Sequence, residues 1–163
     1  MAIDRAATLK NAEKLLRQGK IEPAIAEYLR LVDEQPRDWN LANTIGDLYV
    51  RAGQVDRAVE QYTRIADSLS EEGFLPKASA IYKKILKIKP NDETALLKSG
   101  EIAEAQGLVA DAKTTFLHLA EQRRRRGDRQ AAAHLLVLLG ALDPGDVPAQ
   151  RRAAVALLEI DDR

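Results

Sequence analysis

GKIEPAIAEYLRLVDEQPRD, residues 19–38, opens on a glycine, carries a proline near its end and closes on an aspartate. The same skeleton returns at even intervals, as GFLPKASAIYKKILKIKPND (73–92) and again as GDRQAAAHLLVLLGALDPGD (127–146). Within the first copy Ile21, Ala24, Ile25, Tyr28, Leu31 and Val32 fall at spacings of three and four, which places them on one face of a helix, while Glu22, Glu27, Arg30 and Asp33 take the wet face. Gly19, Gly53, Gly73, Gly107 and Gly127 each separate two such patterns, where a left-handed turn residue lets the chain reverse. Pro36, Pro90 and Pro144 end helices, and Asp38, Asp92 and Asp146 follow as N-caps. These signals predict nine helices, at 5–18, 21–35, 39–52, 55–71, 74–88, 93–106, 109–126, 129–142 and 147–160.

Composition agrees with an all-α chain. Ala, Leu, Glu, Arg and Lys dominate, aromatics are 4 %, and few β-branched runs are available for strands. At 163 residues the chain fits one domain, 1–163. Lys plus Arg and Asp plus Glu both number 25, so the net charge is zero, which argues against general nucleic-acid or membrane-surface binding but not against a local patch. The absence of cysteine removes disulfides, thiol nucleophiles and thiolate metal sites, and suits a reducing cytoplasm. The longest nearly apolar run, residues 131–142, is too short to cross a bilayer and contains His134. No membrane insertion is expected.

Five times the chain writes glycine, alanine five residues on, and a large residue four further: Gly19, Ala24, Tyr28; Gly53, Ala58, Tyr62; Gly73, Ala78, Tyr82; Gly107, Ala112, Phe116; Gly127, Ala132, Leu136. The alanine marks a close approach of two helices, and the large residue one turn later fills the gap between them. With Ala12, Gly46 or Gly100 in the preceding helix, this pattern resembles the tetratricopeptide repeat over 5–38, 39–72 and 93–126, although the tryptophan position holds Thr8, Ala42 and Leu96. The resemblance implies a helical solenoid that is not an enzyme and serves as a protein-interaction scaffold, taking a peptide or helix of a partner in its groove. The glycine spacing alternates 34 and 20, so the repeating unit reads as three helices with a period of 54. An odd number of helices per unit predicts that the turns at Gly53 and Gly107 lie on opposite edges of the stack.

No catalytic constellation, cofactor motif or metal motif stands out. His118 and His134 lack metal-ligand spacing, and no glycine-rich phosphate loop follows a strand. The adjacent pairs Glu71, Glu72 and Asp161, Asp162 point about 100 degrees apart on a helix and read as solvated ends. The candidate working surface is the stripe Asn40, Asn43, Asp47 and Arg51, whose asparagines can hold a peptide backbone through donor and acceptor. The corresponding stripe on the sixth helix includes Leu97, Lys98 and Glu101. Leu9 and Glu13 stand where the family's carboxylate clamp has lysine and asparagine, so binding of chaperone tails is not expected.

Arg123, Arg124, Arg125, Arg126 and Arg129 form a basic patch. They read as cations at a helix end, or, with Arg151 and Arg152, as a site for an acidic partner or RNA. The lack of interleaved aromatics weakens the RNA version. Leu157 and Leu158 await a neighbour or belong to a polar cap, so self-association and membership in a longer repeat protein are both expectations. The richness in Ala, Leu and Arg also suggests a bacterial origin.

Overall fold

The computed structural model describes residues 4–161. Among them are nine helices: α1 (Arg5–Arg17), α2 (Ile21–Glu34), α3 (Trp39–Arg51), α4 (Val55–Glu71), α5 (Leu75–Ile88), α6 (Glu93–Ala105), α7 (Val109–Arg125), α8 (Arg129–Leu142) and α9 (Val147–Asp161). Each boundary lies within one residue of the expected one. Asp162 and Arg163, and with them half of the expected acidic pair, lie outside the described residues.

The chain divides into two compact units, Met1–Lys89 and Pro90–Arg163. In the first, α1 to α5 pack in sequence, each against the next. In the second, α6 to α9 do the same. The first residues of α3, α4 and α5, at 39, 55 and 75, are spaced like those of α6, α7 and α8, at 93, 109 and 129.

All five turn glycines have positive φ, between 72° and 85°. Each closes its helix in the same way. After α1, the Gly19 N–H donates to Leu16 O at 3.0 Å and the Lys20 N–H donates to Leu15 O at 2.9 Å, the paired bonds of a Schellman turn. The same pair recurs at Gly53, Gly73, Gly107 and Gly127. The proline junctions also hold as expected. The Asp38, Asp92 and Asp146 carboxylates accept from the Leu41, Ala95 and Ala149 N–H groups, each at 3.0 Å, satisfying donors that a helix start leaves open. Asp38 also receives Arg5 Nη2 at 2.6 Å, and that bond is the main reason its carboxyl sits below the usual carboxylate range.

The core follows the glycine, alanine, large-residue pattern. Ala24, Ala58, Ala78 and Ala112 are completely buried, and Tyr62, Tyr82 and Phe116 nearly so. A very close approach is made between α3 and α4. A Cβ added to Gly46 would lie 2.4 Å from Tyr62 Cε1, so only a glycine leaves room for the ring. In the second unit Gly100 meets Phe116 Cε1 at the same 2.4 Å. The fifth copy departs from the pattern: Leu136 is only half-buried, in the place where α5 has fully enclosed Tyr82.

Between α8 and α9 a close contact arises that the pattern does not announce. Gly140 is buried, and Gln150 lies against it with its Nε2 donating to Gly140 O at 2.7 Å. Lys113 of α7 reinforces the same connection, with Nζ bonded to Asp146 and, at 3.1 Å, to Asp143. These bonds, the one from Asp146 first, hold the ammonium above its ordinary value, and the same contact holds the Asp146 carboxyl below its own.

The ring contact yields a stability prediction. Gly46→Ala and Gly100→Ala each overpack a closed interface, and the net loss after the gain in helix propensity is expected to be about 1–2 kcal/mol. Urea unfolding followed by circular dichroism measures it. An unchanged midpoint would mean that the rings move aside freely.

Candidate functional site

The α3 stripe lies in the first unit. Asn40, Asp47 and Arg51 are exposed and Asn43 is half-buried. Two of the four are tied into a cluster that the stripe alone did not reveal. Lys84 of α5 reaches across to α3, where its Nζ donates to Asn43 Oδ1 at 2.8 Å and to Asp47 Oδ1 at 2.6 Å. The same ammonium stands 4.6 Å from the centre of the Tyr62 ring, within cation–π range. From α4, the Tyr62 hydroxyl donates to Asp47 Oδ1 as well. Three helices therefore place an amide, a carboxylate, an ammonium and a phenol in mutual contact.

Burial pushes the Tyr62 phenol well above its ordinary value of 10.0, and the bond to Asp47 and that residue's charge push it further. A second phenol, that of Tyr82, donates to Asp67 in the same α4–α5 pair. Arg51 and Asn40 flank the cluster at either end of the stripe and take no part in it.

In the second unit the corresponding positions of α6, α7 and α8 hold different chemistry. Leu97, Glu101, Phe116 and Leu138 stand for Asn43, Asp47, Tyr62 and Lys84. Lys98 donates to Glu101 at 3.0 Å within α6, an exposed pair three residues apart that contributes about 0.5 kcal/mol at most. The ordered polar cluster thus belongs to the first unit alone.

The basic patch separates into two groups. Arg123 and Arg126 are occupied. Arg123 Nη2 meets Glu93 Oε2 at 2.6 Å and its Nη1 meets Asp128 at 3.2 Å, while Arg126 Nη1 meets Glu93 Oε1 at 2.5 Å. Glu93 sits in the first turn of α6 and the arginines at the end of α7, so each charge also complements its own helix dipole. Arg124, Arg125 and Arg129 are exposed, as Arg126 is, and take no part in the Glu93 pairs. Of these, Arg124 and Arg129 border a groove of about 600 Å³ formed by α7, α8 and α9, with Arg151 and Arg152 on its other side. Arg123, Arg124 and Arg125 all lie in the last turn of α7, and Arg124 and Arg129, with Arg151 and Arg152 of α9, line the groove.

Both histidines, His118 and His134, are exposed, and among the described residues no group of three His, Cys, Asp or Glu is placed to hold a metal ion. No helix among them is long and apolar enough to cross a membrane. On α9, Leu157 and Leu158 are 49 % and 65 % exposed, so within the described residues they lack the neighbour that the sequence leads one to expect.

Residues 9–70 match the tetratricopeptide repeat family, a segment that lies wholly within the first unit. No curated protein matches the chain in sequence. Among solved structures, a thermophilic tetratricopeptide repeat protein from Thermus thermophilus shares 18 % identity over 94 % of this chain and 98 % of its own, with a TM-score of 0.33. A tetratricopeptide repeat protein from Parabacteroides merdae shares 16 % over 96 % of this chain and 73 % of its own, with a TM-score of 0.35. MamA from Desulfovibrio magneticus RS-1 shares 15 % over 90 % and 99 %, with a TM-score of 0.36. The family assignment of residues 9–70 rests on the sequence match.

The Tyr62 phenol gives the cluster a pH signature. The fold favours the neutral phenol, so the stability it carries is complete below pH 10.0, where the unfolded chain is still protonated, and is lost as pH rises beyond that. Tyr62→Phe is expected to cost about 1 kcal/mol at neutral pH, because Asp47 loses a donor. It should also make the loss of stability between about pH 10 and 12 shallower. Urea unfolding across this range tests both, and an alkaline slope equal to that of the parent chain would remove Tyr62 from the account.

Proposed function

We propose, taking as premise that residues 9–70 are a tetratricopeptide repeat segment, that the chain is a non-enzymatic protein-interaction scaffold whose α3 face receives a peptide or helix of a partner protein. The observation that carries this reading is the cluster of Asn43, Asp47, Tyr62 and Lys84. Asn43, Asp47 and Lys84 are accessible at least in part, Tyr62 is buried beneath them, and all four are held by one another on three helices, so little side-chain freedom remains to be lost when a partner binds. Lys84 occupies the Asn43 carbonyl oxygen, which turns the amide donors of that residue toward a ligand. Asn40 and Arg51, at the two ends of the stripe, extend the surface to a length that suits an extended segment.

The geometry also dictates how to test the reading. An arginine in place of Asn43 or Asp47 would set a cation against Lys84 and disturb the fold, so the informative changes are at the ends. The double variant Asn40→Arg, Arg51→Glu is expected to keep the parent's helical signal and unfolding midpoint. In affinity capture from lysate with a photo-crosslinking side chain at position 44, it should lose at least about nine-tenths of a partner that the parent chain retains and crosslinks, a change of about 1.4 kcal/mol or more. Equal capture by both chains with no crosslink from position 44 in either would show that the α3 face is ordinary solvated surface.

A further inference from the structure

The groove of α7, α8 and α9 is a second surface, independent of the α3 face. Its floor is small and apolar, built largely from Ala120, Ala132, Ala133 and Ala156 with Leu136 and Val155 at its sides. One difference accompanies it: Tyr82 is fully enclosed on α5 and bonded to Asp67, whereas the corresponding residue of α8, Leu136, is shorter, lacks the hydroxyl and lines the groove. Val155 is 47 % exposed at the edge.

Around this floor stand Arg124, Arg129, Arg151 and Arg152, with only Glu121 and Glu159 as acids among the lining residues, a local excess of two positive charges in a chain whose net charge is zero. Among the described residues no ion pair joins a carboxylate to any of these four, although the charge of Arg152 acts on Asp146 nearby, in contrast to Arg123 and Arg126, which share Glu93. Such a rim costs Coulomb energy unless an anionic partner or solvent ions offset it.

We infer that this groove receives an amphipathic helix of a protein partner, with aliphatic anchors seated on the alanine floor and acidic residues on both flanks against the four arginines. A volume of about 600 Å³ holds a few large side chains and not a whole helix, so the helix rests across the opening and inserts its anchors at spacings of three and four residues. A nucleic acid fits less well, because no aromatic side chain lines the groove for base stacking and the apolar floor would stay uncovered. A lipid surface fits less well because the apolar area is concave.

The test uses the full chain and a labelled lactam-bridged helix of about five turns, with leucines at positions 5, 8, 9 and 12 and glutamates on both sides of that stripe, read by fluorescence anisotropy. The glutamate helix is expected to bind at least about tenfold more tightly than the same helix with lysines, and to weaken with added salt. Arg151→Glu with Arg152→Glu should reduce the affinity at least about tenfold. Val155→Glu, a change at an exposed position, should do the same with an unaltered circular dichroism spectrum. Asn40→Arg, Arg51→Glu should bind the helix like the parent, which separates this inference from the reading of the α3 face.

Failure of the glutamate helix to bind overturns the inference. So does tighter binding of oligouridine or of phosphatidylserine vesicles that displaces the helix. A concentration-dependent dimer in sedimentation that Val155→Glu dissociates, with no helix binding to the parent, would assign the groove to a second copy and overturn it as well.

Discussion

The contact between a glycine of one helix and the aromatic ring of the next is the constraint from which the rest follows. With Gly46 under Tyr62 and Gly100 under Phe116, the helix axes come closer than any Cβ would permit. That approach buries alanines completely on the neighbouring helix and fixes the rotation of each helix about its axis. Which side chains reach solvent is decided at the same moment. Asp47, one residue after Gly46, emerges beside the rim of the ring, where the phenol can bond it. Where the ring is a phenylalanine, the neighbouring Glu101 pairs with Lys98 of its own helix instead.

Polar and apolar versions of one local geometry therefore give the two units different surfaces. In the first, a tyrosine and a lysine organise an amide and a carboxylate into a fixed pattern of donors and acceptors. In the second, the equivalent places are Phe116 and Leu138, and four arginines border a groove lined by Leu136. The energetic logic of the two proposed roles differs accordingly. A prearranged polar cluster would select orientation at little entropic cost, while an apolar floor would supply contact area and the guanidiniums would choose the sign of charge that approaches.

Helix bounds, caps and turns were legible in the sequence because their causes are local. A glycine in a left-handed turn, an aspartate at an N-cap and a period of three and four act within a few residues, and Gly19, Asp38 and the apolar face over 21–32 all appear where those rules place them. The polar cluster on α3 was legible only in part. Asn43 and Asp47 were visible as a stripe, but Lys84 lies 41 and 37 residues away, and nothing within α5 distinguishes it from Lys83. The arginine run was ambiguous for a related reason. Four consecutive residues point in four directions, and only the position of Glu93, a whole helix pair upstream of Arg123, decides which are consumed. The groove left the faintest trace, a leucine at one place in a pattern otherwise kept by rings.

The five turns have one more property. At Gly19, Gly53, Gly73, Gly107 and Gly127 no atom lies within 4 Å of the point where a side chain would begin, so the space is empty and the sole objection to a substituent is torsional. That objection is one of handedness. A residue of mirror-image chirality adopts these angles without strain, and a D-alanine there would narrow the wandering of the unfolded chain. Ribosomal synthesis offers no such residue. The five turn glycines are the achiral compromise of a polymer built from a single hand.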